Sequence, residues 1–175
     1  MLSRRTLREI LGYVIGGSLI LILLPYGLFR ASLDLDHLIP GQLIPFPALR
    51  SAILVVLLAV GLFFGFWSNI ALNVIGRGGP VQFARVEISP KTRNLVMTGP
   101  YRYTRNPMLF GTCVLYYAGA VYLNSVIAFL LVTLFMIFML IFVKWIEEPR
   151  LRKDFGNEYE DYRRKVSMFV PWPSK

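Results

Sequence analysis

The sequence predicts an all-α membrane protein, a polytopic helix bundle of about four transmembrane helices with a C-terminal cytoplasmic amphipathic helix. Hydrophobic residues make up 55% of the chain and charged residues 17%, whereas an average soluble domain has about 25% charged residues. Four apolar runs approach the roughly 20 residues that a helix needs to cross a bilayer. The net charge is nevertheless +9, which is expected when the basic residues flank segments that lie in lipid.

Each apolar run is interpreted as one membrane span. The four runs are Ile10–Phe29, Ser51–Ile75, Pro107–Leu123 and Val126–Val143. Only Asn124 and Ser125 separate the last two runs, so these are expected to form a tight helical hairpin. We interpret residues 1–175 as a single membrane domain, in which 1–75 holds two N-terminal spans and 76–175 holds a loop, the hairpin and the tail.

The distribution of Lys and Arg predicts the orientation. The segment before the first run has three, the first loop two, residues 76–106 six, the hairpin turn none, and the segment from Lys144 onward eight. Cytoplasmic segments are enriched in these residues. Both termini and the second loop are therefore expected in the cytoplasm, with a prokaryotic inner membrane or the endoplasmic reticulum as the location.

The polar tail carries a helical pattern of apolar residues. Its spacing of three and four is typical of one helix face, and the residues are Leu151, Phe155, Tyr159, Tyr162 and Val166. Gly156 is expected to interrupt this helix. The segment is expected to pack on the cytoplasmic end of the bundle or to lie in the membrane interface.

Several functional classes are disfavoured by the same sequence. The basic residues flank apolar runs rather than forming a stripe on a soluble fold, so no nucleic-acid partner is expected. The single cysteine, Cys113, excludes an internal disulfide framework. The single histidine, His37, lies in the predicted first loop, and no metal site is expected.

Glu147 and Glu148 are candidate functional residues because ionisable groups near membrane depth are costly. They directly follow the fourth run. A structural alternative is equally open, since Lys144 lies three and four residues earlier and can form ion pairs with both.

A second candidate is the polar, aromatic stretch that leads into the third run. Pro107 suits the first turn of a helix, and Asn106 can cap that helix. Helix N-termini attract anions, so Arg105 and this helix start together suit a carboxylate or phosphate. The alternative is that Arg102 and Arg105 only anchor the chain at the cytoplasmic face.

These segments together resemble a known superfamily. The chain reads Gly99-Pro-Tyr-Arg-Tyr-Thr-Arg-Asn-Pro-Met-Leu-Phe-Gly111, then the hairpin, then Glu147-Glu-Pro-Arg-Leu-Arg-Lys-Asp-Phe-Gly156-Asn-Glu-Tyr-Glu-Asp-Tyr162, and later Pro171. Over about residues 75–171 this resembles the isoprenylcysteine carboxyl methyltransferase and phospholipid methyltransferase superfamily. The order of the pieces around the hairpin makes the resemblance specific.

The resemblance implies an enzyme that uses S-adenosylmethionine in a cytoplasm-facing pocket, with an acceptor that enters from the bilayer. Carried onto this chain, it implies cofactor-binding roles for Tyr101, Arg105, Asn106, Pro107, Gly111, Glu147, Glu148, Tyr159 and Tyr162, and catalytic roles for Glu147 and Arg105. The chemistry agrees with these assignments. A glutamate can accept from ribose hydroxyls or pair with the cofactor ammonium, and Arg105 can hold its carboxylate.

The acceptor is less constrained by the sequence. The isoprenylcysteine enzymes usually have His where this chain has Asn106, so a lipid-like substrate such as a phospholipid amine headgroup is the first candidate. Carboxyl methylation of a prenylated cysteine is the alternative within the superfamily. An NADPH-dependent membrane lipid or sterol reductase of similar fold and a non-catalytic membrane scaffold are alternatives from other classes. The expected partners are the lipid bilayer and the lipid-like substrate.

Overall fold

The computed structural model describes residues 14–76 and 94–173, together with the backbone of residues 82–83 and 86–87. The predicted start of the first span at Ile10 lies outside the described residues. So do the three arginines before it and most basic residues of the second loop.

The described chain is a bundle of helices, as predicted. The helices are α1 (Val14–Leu38), α2 (Pro47–Val74), α3 (Pro107–Leu123), α4 (Val126–Phe142) and α5 (Glu148–Lys165). A short antiparallel pair, β1 (Gln82–Phe83) and β2 (Val86–Glu87), lies between α2 and α3 in the chain. A π-helical segment, Val143–Glu147, joins α4 directly to α5. Helix α5 is interrupted at Gly156, as predicted, because the backbone there has φ 55° and ψ −130°, which are not helical.

Three of these helices are long and apolar enough to cross a membrane, which confirms the prediction of an integral membrane helix bundle. They are α1, α2 and Val126–Lys165, whose apolar 18-residue stretches have mean hydropathies of 1.8, 2.3 and 3.2. The remaining predicted span, α3, is an apolar helix of 17 residues. At about 1.5 Å per residue it is roughly 25 Å long, which is slightly shorter than the hydrocarbon core.

Several helices extend past the apolar runs that are interpreted as membrane spans. The first helix does not end with its run at Phe29. Helix α1 continues to Leu38, supported by an Arg30–Asp34 ion pair of 3.1 Å on successive turns. Helix α2 begins at Pro47 rather than Ser51, since proline is tolerated in a first helical turn. The fourth helix does not stop at Val143 but runs on into the tail.

Helix α3 is packed closely against α2 at a contact formed by glycines. A Cβ atom added to Gly111 would lie 2.8 Å from the backbone nitrogen of Gly65 and 2.9 Å from the backbone oxygen of Gly61. Such distances leave no room for a side chain. Small residues allow this close backbone approach between membrane helices, and here they set the position at which α3 enters the bundle.

Polar contacts hold the α3–α4 hairpin at the far end of the bundle. Asn124 adopts the left-handed conformation with φ 55°, and its Oδ1 accepts from the backbone N–H of Ile44 at 2.8 Å. Ser125 caps α4, because its Oγ accepts from the N–H of Ala128 at 2.9 Å. The same Oγ donates to Oδ1 of Asp36 at 2.5 Å. The hairpin turn is thereby fixed to the end of α1 and to the α1–α2 connection.

Candidate active site

A cavity of about 290 Å³ lies where the start of α3, the π-helical segment and α5 come together. One part of its wall is apolar and comes from the spanning helices. These residues include Leu19, Ile20, Leu24, Leu72, Phe135, Met139 and Phe142. The other part is polar and is formed by the loop before α3 and by the tail. The cavity therefore joins a polar region to the apolar interior of the bundle.

Most of the residues predicted for a cofactor site line this one cavity. They are Tyr101, Arg105, Asn106, Pro107, Glu147, Tyr159 and Tyr162. Gly111 and Glu148 are not part of its wall. Gly111 lies in the glycine contact with α2, and a cofactor contact for it stays a prediction. The structure thus brings seven of the nine predicted residues together, although they come from two segments far apart in the chain.

Arg105 and Glu148 form a buried ion pair beside the cavity. Nη2 of Arg105 lies 2.9 Å from Oε1 of Glu148, and their side chains are only 9% and 7% exposed. Arg163 adds a second, longer contact of 3.8 Å to the other carboxylate oxygen. Nε and Nη1 of Arg105 are buried and have no hydrogen-bond partner in the described structure. Buried donors of this kind are rare, so this guanidinium has capacity for a further acceptor.

Glu147 occupies a different position from its neighbour. It lines the cavity and pairs with Arg150 at 2.5 Å. Among the described residues neither glutamate forms an ion pair with Lys144, and that structural alternative is therefore wrong. Glu147 ends the π-helical segment Val143–Glu147, and π-helical turns are frequent at functional sites because they shift the register of the following residues.

A second π-helical segment, Leu19–Leu23 in α1, contributes to the opposite wall of the cavity through Leu19 and Ile20. The hydroxyl of Tyr116 donates to the backbone carbonyl of Ile20. A π segment interrupts the regular bonding of the helix and leaves carbonyl groups that need partners. This contact from α3 supplies one and ties α1 to the centre of the bundle.

The loop before α3 is held by the C-terminal segment, Val166–Trp172. The N–H of Arg105 donates to the carbonyl of Ser167 at 2.9 Å, and the N–H of Trp172 donates to the carbonyl of Tyr103 at 2.9 Å. Nδ2 of Asn106 donates to the carbonyl of Met168 at 2.9 Å. The prediction that the Asn106 side chain caps α3 is therefore wrong, because that side chain makes no cap hydrogen bond and binds the C-terminal segment instead. Pro107 does begin α3, as predicted.

The two tail tyrosines pack against the same loop. Tyr159 is 1% exposed and Tyr162 is 6% exposed, and both belong to a cluster with Val166. The hydroxyl of Tyr162 donates to the backbone carbonyl of Tyr101 at 2.6 Å. Burial raises the pKa of the Tyr101 hydroxyl above its usual range, so this group stays protonated and can donate a hydrogen bond. The predicted apolar face of the tail is confirmed, since Leu151 and Phe155 join the same cluster.

Sequence reasoning missed several residues of the cavity wall. They include Arg150, Asp154, Asn94, Leu95 and Val96, as well as the α1 residues. Arg150 follows Glu147 by three positions, and the ion-pair spacing could have indicated it. No local signal indicates the α1 residues, because their contribution depends on how the helices pack. Among the described residues there is no cluster of three or more His, Cys, Asp or Glu side chains that could hold a metal ion.

Comparison with known proteins identifies the family. Residues 49–158, more than half of the chain, match the phospholipid methyltransferase family. The chain belongs to the phospholipid methyltransferase family, and the predicted superfamily is confirmed. No solved structure matches this chain.

Two curated relatives are similar to part of the chain. A methanethiol S-methyltransferase 1 of Bradyrhizobium diazoefficiens is 36% identical over 72 residues, which cover 41% of this chain and 24% of that protein. A methanethiol S-methyltransferase of Mycobacterium tuberculosis is 34% identical over 76 residues, which cover 43% of this chain and 30% of that protein. The matches thus span less than a third of either relative.

Proposed function

We propose that this protein transfers a methyl group from S-adenosylmethionine to an acceptor that reaches the cavity from the bilayer. The observation that carries the proposal is the composition of the cavity wall. Arg105 and Glu147 lie in its polar part, and leucines of α1 with Phe135 and Met139 of α4 form its apolar part. A polar cofactor and an apolar or amphiphilic acceptor could therefore meet in one place.

The residues present fit the charged groups of the cofactor. Arg105 has two buried donor atoms without hydrogen-bond partners, Nε and Nη1, and each can donate a charge-assisted hydrogen bond to a carboxylate. The first turn of α3, from Pro107 to Leu109, also lines the cavity, and a helix N-terminus favours an anion. Glu147 faces the cavity and can accept from ribose hydroxyls or pair with the ammonium group.

When bound, S-adenosylmethionine supplies a methyl group whose bond to sulfur breaks as the acceptor's lone pair forms the new bond, and the electrons of the broken bond stay on sulfur. The protein's own contribution to such a displacement is positioning and the exclusion of water by the apolar wall. An amine or thiol acceptor must also lose a proton. Glu147 is the carboxylate in the wall that we assign as the proton acceptor.

The first candidate acceptor is a lipid-like amine such as a phospholipid headgroup. The family match supports this class. A lipid tail could lie against the apolar part of the wall, while its headgroup reaches Glu147. Activity on an amine is expected to rise with pH through the ionisation of the acceptor, because only the neutral amine has a lone pair. A carboxylate acceptor, as in a prenylated cysteine, would show little change above about pH 6.

A small thiol is the second candidate. The specific observation in its favour is that both curated relatives are named methanethiol S-methyltransferases. A cavity of about 290 Å³ is at the lower end of the range for drug-sized ligands, which is about 300–1,000 Å³. So small a volume favours a small acceptor over a bulky one.

Two experiments test the proposal. Calorimetry of the detergent-solubilised protein with S-adenosylhomocysteine and, separately, with NADPH distinguishes a methyltransferase from a reductase, and binding of neither ligand would support a scaffold. Labelled S-adenosylmethionine is then incubated with the enzyme in native lipid extract and, in parallel, with methanethiol. Label in the lipid fraction supports the lipid-like amine, and label only in dimethyl sulfide supports the thiol.

We further propose that the active site faces the cytoplasm. The polar part of the cavity lies beside α5, which begins at Glu148 and carries Arg163, Arg164 and Lys165 in its last turn. The enrichment of cytoplasmic segments in basic residues supports this orientation.

A further inference from the structure

The adjacent glutamates of the Glu-Glu pair occupy unlike positions in the structure. Glu147 lines the cavity, whereas Glu148 does not. Glu148 is only 5% exposed and its carboxylate lies against Nη2 of Arg105 at 2.9 Å. Arg105 does line the cavity. Glu148 therefore contacts the cavity wall through the side chain of Arg105.

The nitrogen atoms of the Arg105 guanidinium differ in their contacts, and this difference indicates how the group is oriented. Nη2 forms the ion pair with Glu148, whereas Nε and Nη1 are buried without hydrogen-bond partners. An Arg side chain has a planar fork of donors, so fixing one edge of the fork fixes the direction of the others. An arginine buried without a counter-ion would also be costly. Glu148 thus supplies both the charge that permits burial and the contact that sets the orientation.

We propose that Glu148 is a positioning residue that orients Arg105 toward the carboxylate of the methyl donor, and that it does not itself bind the donor. Glu147, which pairs with Arg150 at 2.5 Å, is the glutamate that contacts the donor. This assignment rests on the proposed function, since it needs a donor with an amino-acid carboxylate in the cavity. Of the two neighbouring residues, Glu147 binds the ligand and Glu148 orients Arg105.

The test compares a ligand that has the amino-acid part, whose carboxylate Arg105 would bind, with a ligand that lacks it. S-adenosylhomocysteine carries the amino-acid carboxylate, and 5′-methylthioadenosine lacks the amino-acid part. Affinities are measured by calorimetry for the parent, Glu148→Gln, Arg105→Lys and the double variant. Glu148→Gln is expected to weaken S-adenosylhomocysteine binding by about tenfold, because Arg105 loses the charged partner of its buried ion pair, and to leave 5′-methylthioadenosine binding unchanged. The double variant is expected to bind no more weakly than Arg105→Lys alone, because the two residues act as a unit.

Glu147→Gln is the matched control, since its effect is expected to add to that of Arg105→Lys. Glu148→Asp is the second variant if Glu148→Gln does not fold. It keeps the negative charge but withdraws the carboxylate by one methylene, and the same selective loss for S-adenosylhomocysteine is expected.

Three results would overturn the inference. An equal loss for both ligands would show a general structural role for Glu148, and unchanged binding of both would show no role. Additive effects of Glu148→Gln and Arg105→Lys would show that Glu148 contacts the donor independently. If the parent protein binds neither ligand, the proposed function is wrong. If the parent binds S-adenosylhomocysteine but one of the three results above is found, only the inference about Glu148 is wrong.

Discussion

The side-chain amide of Asn106 donates a hydrogen bond to the backbone carbonyl oxygen of Met168, 2.9 Å away. This bond joins the residue before α3 to the segment that follows α5. The hydroxyl of Thr104 donates to the same carbonyl at 3.3 Å, and the rings of Phe110 and Phe169 lie 5.6 Å apart at 66°. The C-terminal segment thus holds the backbone that presents Arg105 to the cavity.

Replacing Asn106 should loosen this connection. Asn106→Ala removes the donor to Met168 and is expected to lower the stability of the protein by about 1 kcal/mol, the usual net contribution of one hydrogen bond. Asn106→Asp should cost more, because a carboxylate then faces a carbonyl oxygen. Thermal unfolding of the solubilised protein measures both changes, with Gln42→Ala at an exposed position as the control. Equal melting temperatures for Asn106→Asp and the parent would contradict the structural role.

Glu147 offers a direct test of the polar part of the cavity. Glu147→Gln should weaken S-adenosylhomocysteine binding by about tenfold, because a neutral amide is a poorer partner for an ammonium group or a ribose hydroxyl. The protein should still purify in folded form, since Glu147 is only half-buried. Lys144→Met is the control, because Lys144 is exposed and pairs with neither glutamate among the described residues. Unchanged affinity in calorimetry would remove Glu147 from the site.

Gly111 and Gly65 form a matched pair of substitutions at the α2–α3 contact. Gly111→Ala places a Cβ 2.8 Å from the nitrogen of Gly65, so the helices must separate, and we expect a loss of about 1–3 kcal/mol as for other overpacked sites. A Cβ at Gly65 meets nothing within 4 Å. Gly65→Ala should therefore be neutral or slightly stabilising, because alanine has the higher helix propensity. Comparable melting temperatures for the two variants would show that this packing is not as described.

Gly156 tests the bend within α5. Its backbone has φ 55° and ψ −130°, a conformation that residues with a Cβ rarely adopt. Gly156→Ala is expected to destabilise the protein by about 1–3 kcal/mol. Gly27→Ala in α1 is the control, since a Cβ there meets nothing within 4 Å and φ is ordinary. If Gly156→Ala has the same melting temperature as the parent protein, the bend at Gly156 does not contribute to stability.

The orientation in the membrane can be measured by cysteine labelling. The native Cys113 is buried and should not react, so single cysteines introduced at Gln42 and Glu158, both exposed, report separately. A membrane-impermeant reagent added to intact cells is expected to label position 42, and position 158 only after permeabilisation. The reverse pattern would place the cavity on the opposite side of the membrane.

The sequence by itself determined the features that depend on local composition and spacing. Runs of apolar residues indicated the membrane helices because each helix must satisfy its own backbone in lipid. The three- and four-residue spacing from Leu151 to Val166 indicated the buried face of α5, and Pro107 indicated the start of α3. The family was also identified from short motifs, since their order around the hairpin is specific.

Only the tertiary structure decided where the candidate side chains lie relative to the cavity. Glu147 and Glu148 are adjacent in the chain, but the π-helical turn and the packing of α5 bring one to the cavity and the other to Arg105. The sequence predicted that Asn106 caps α3, but its side-chain amide donates instead to a backbone carbonyl of the C-terminal segment. Contacts between segments far apart in the chain depend on how complete helices pack, and neither periodicity nor motif spacing carries that information.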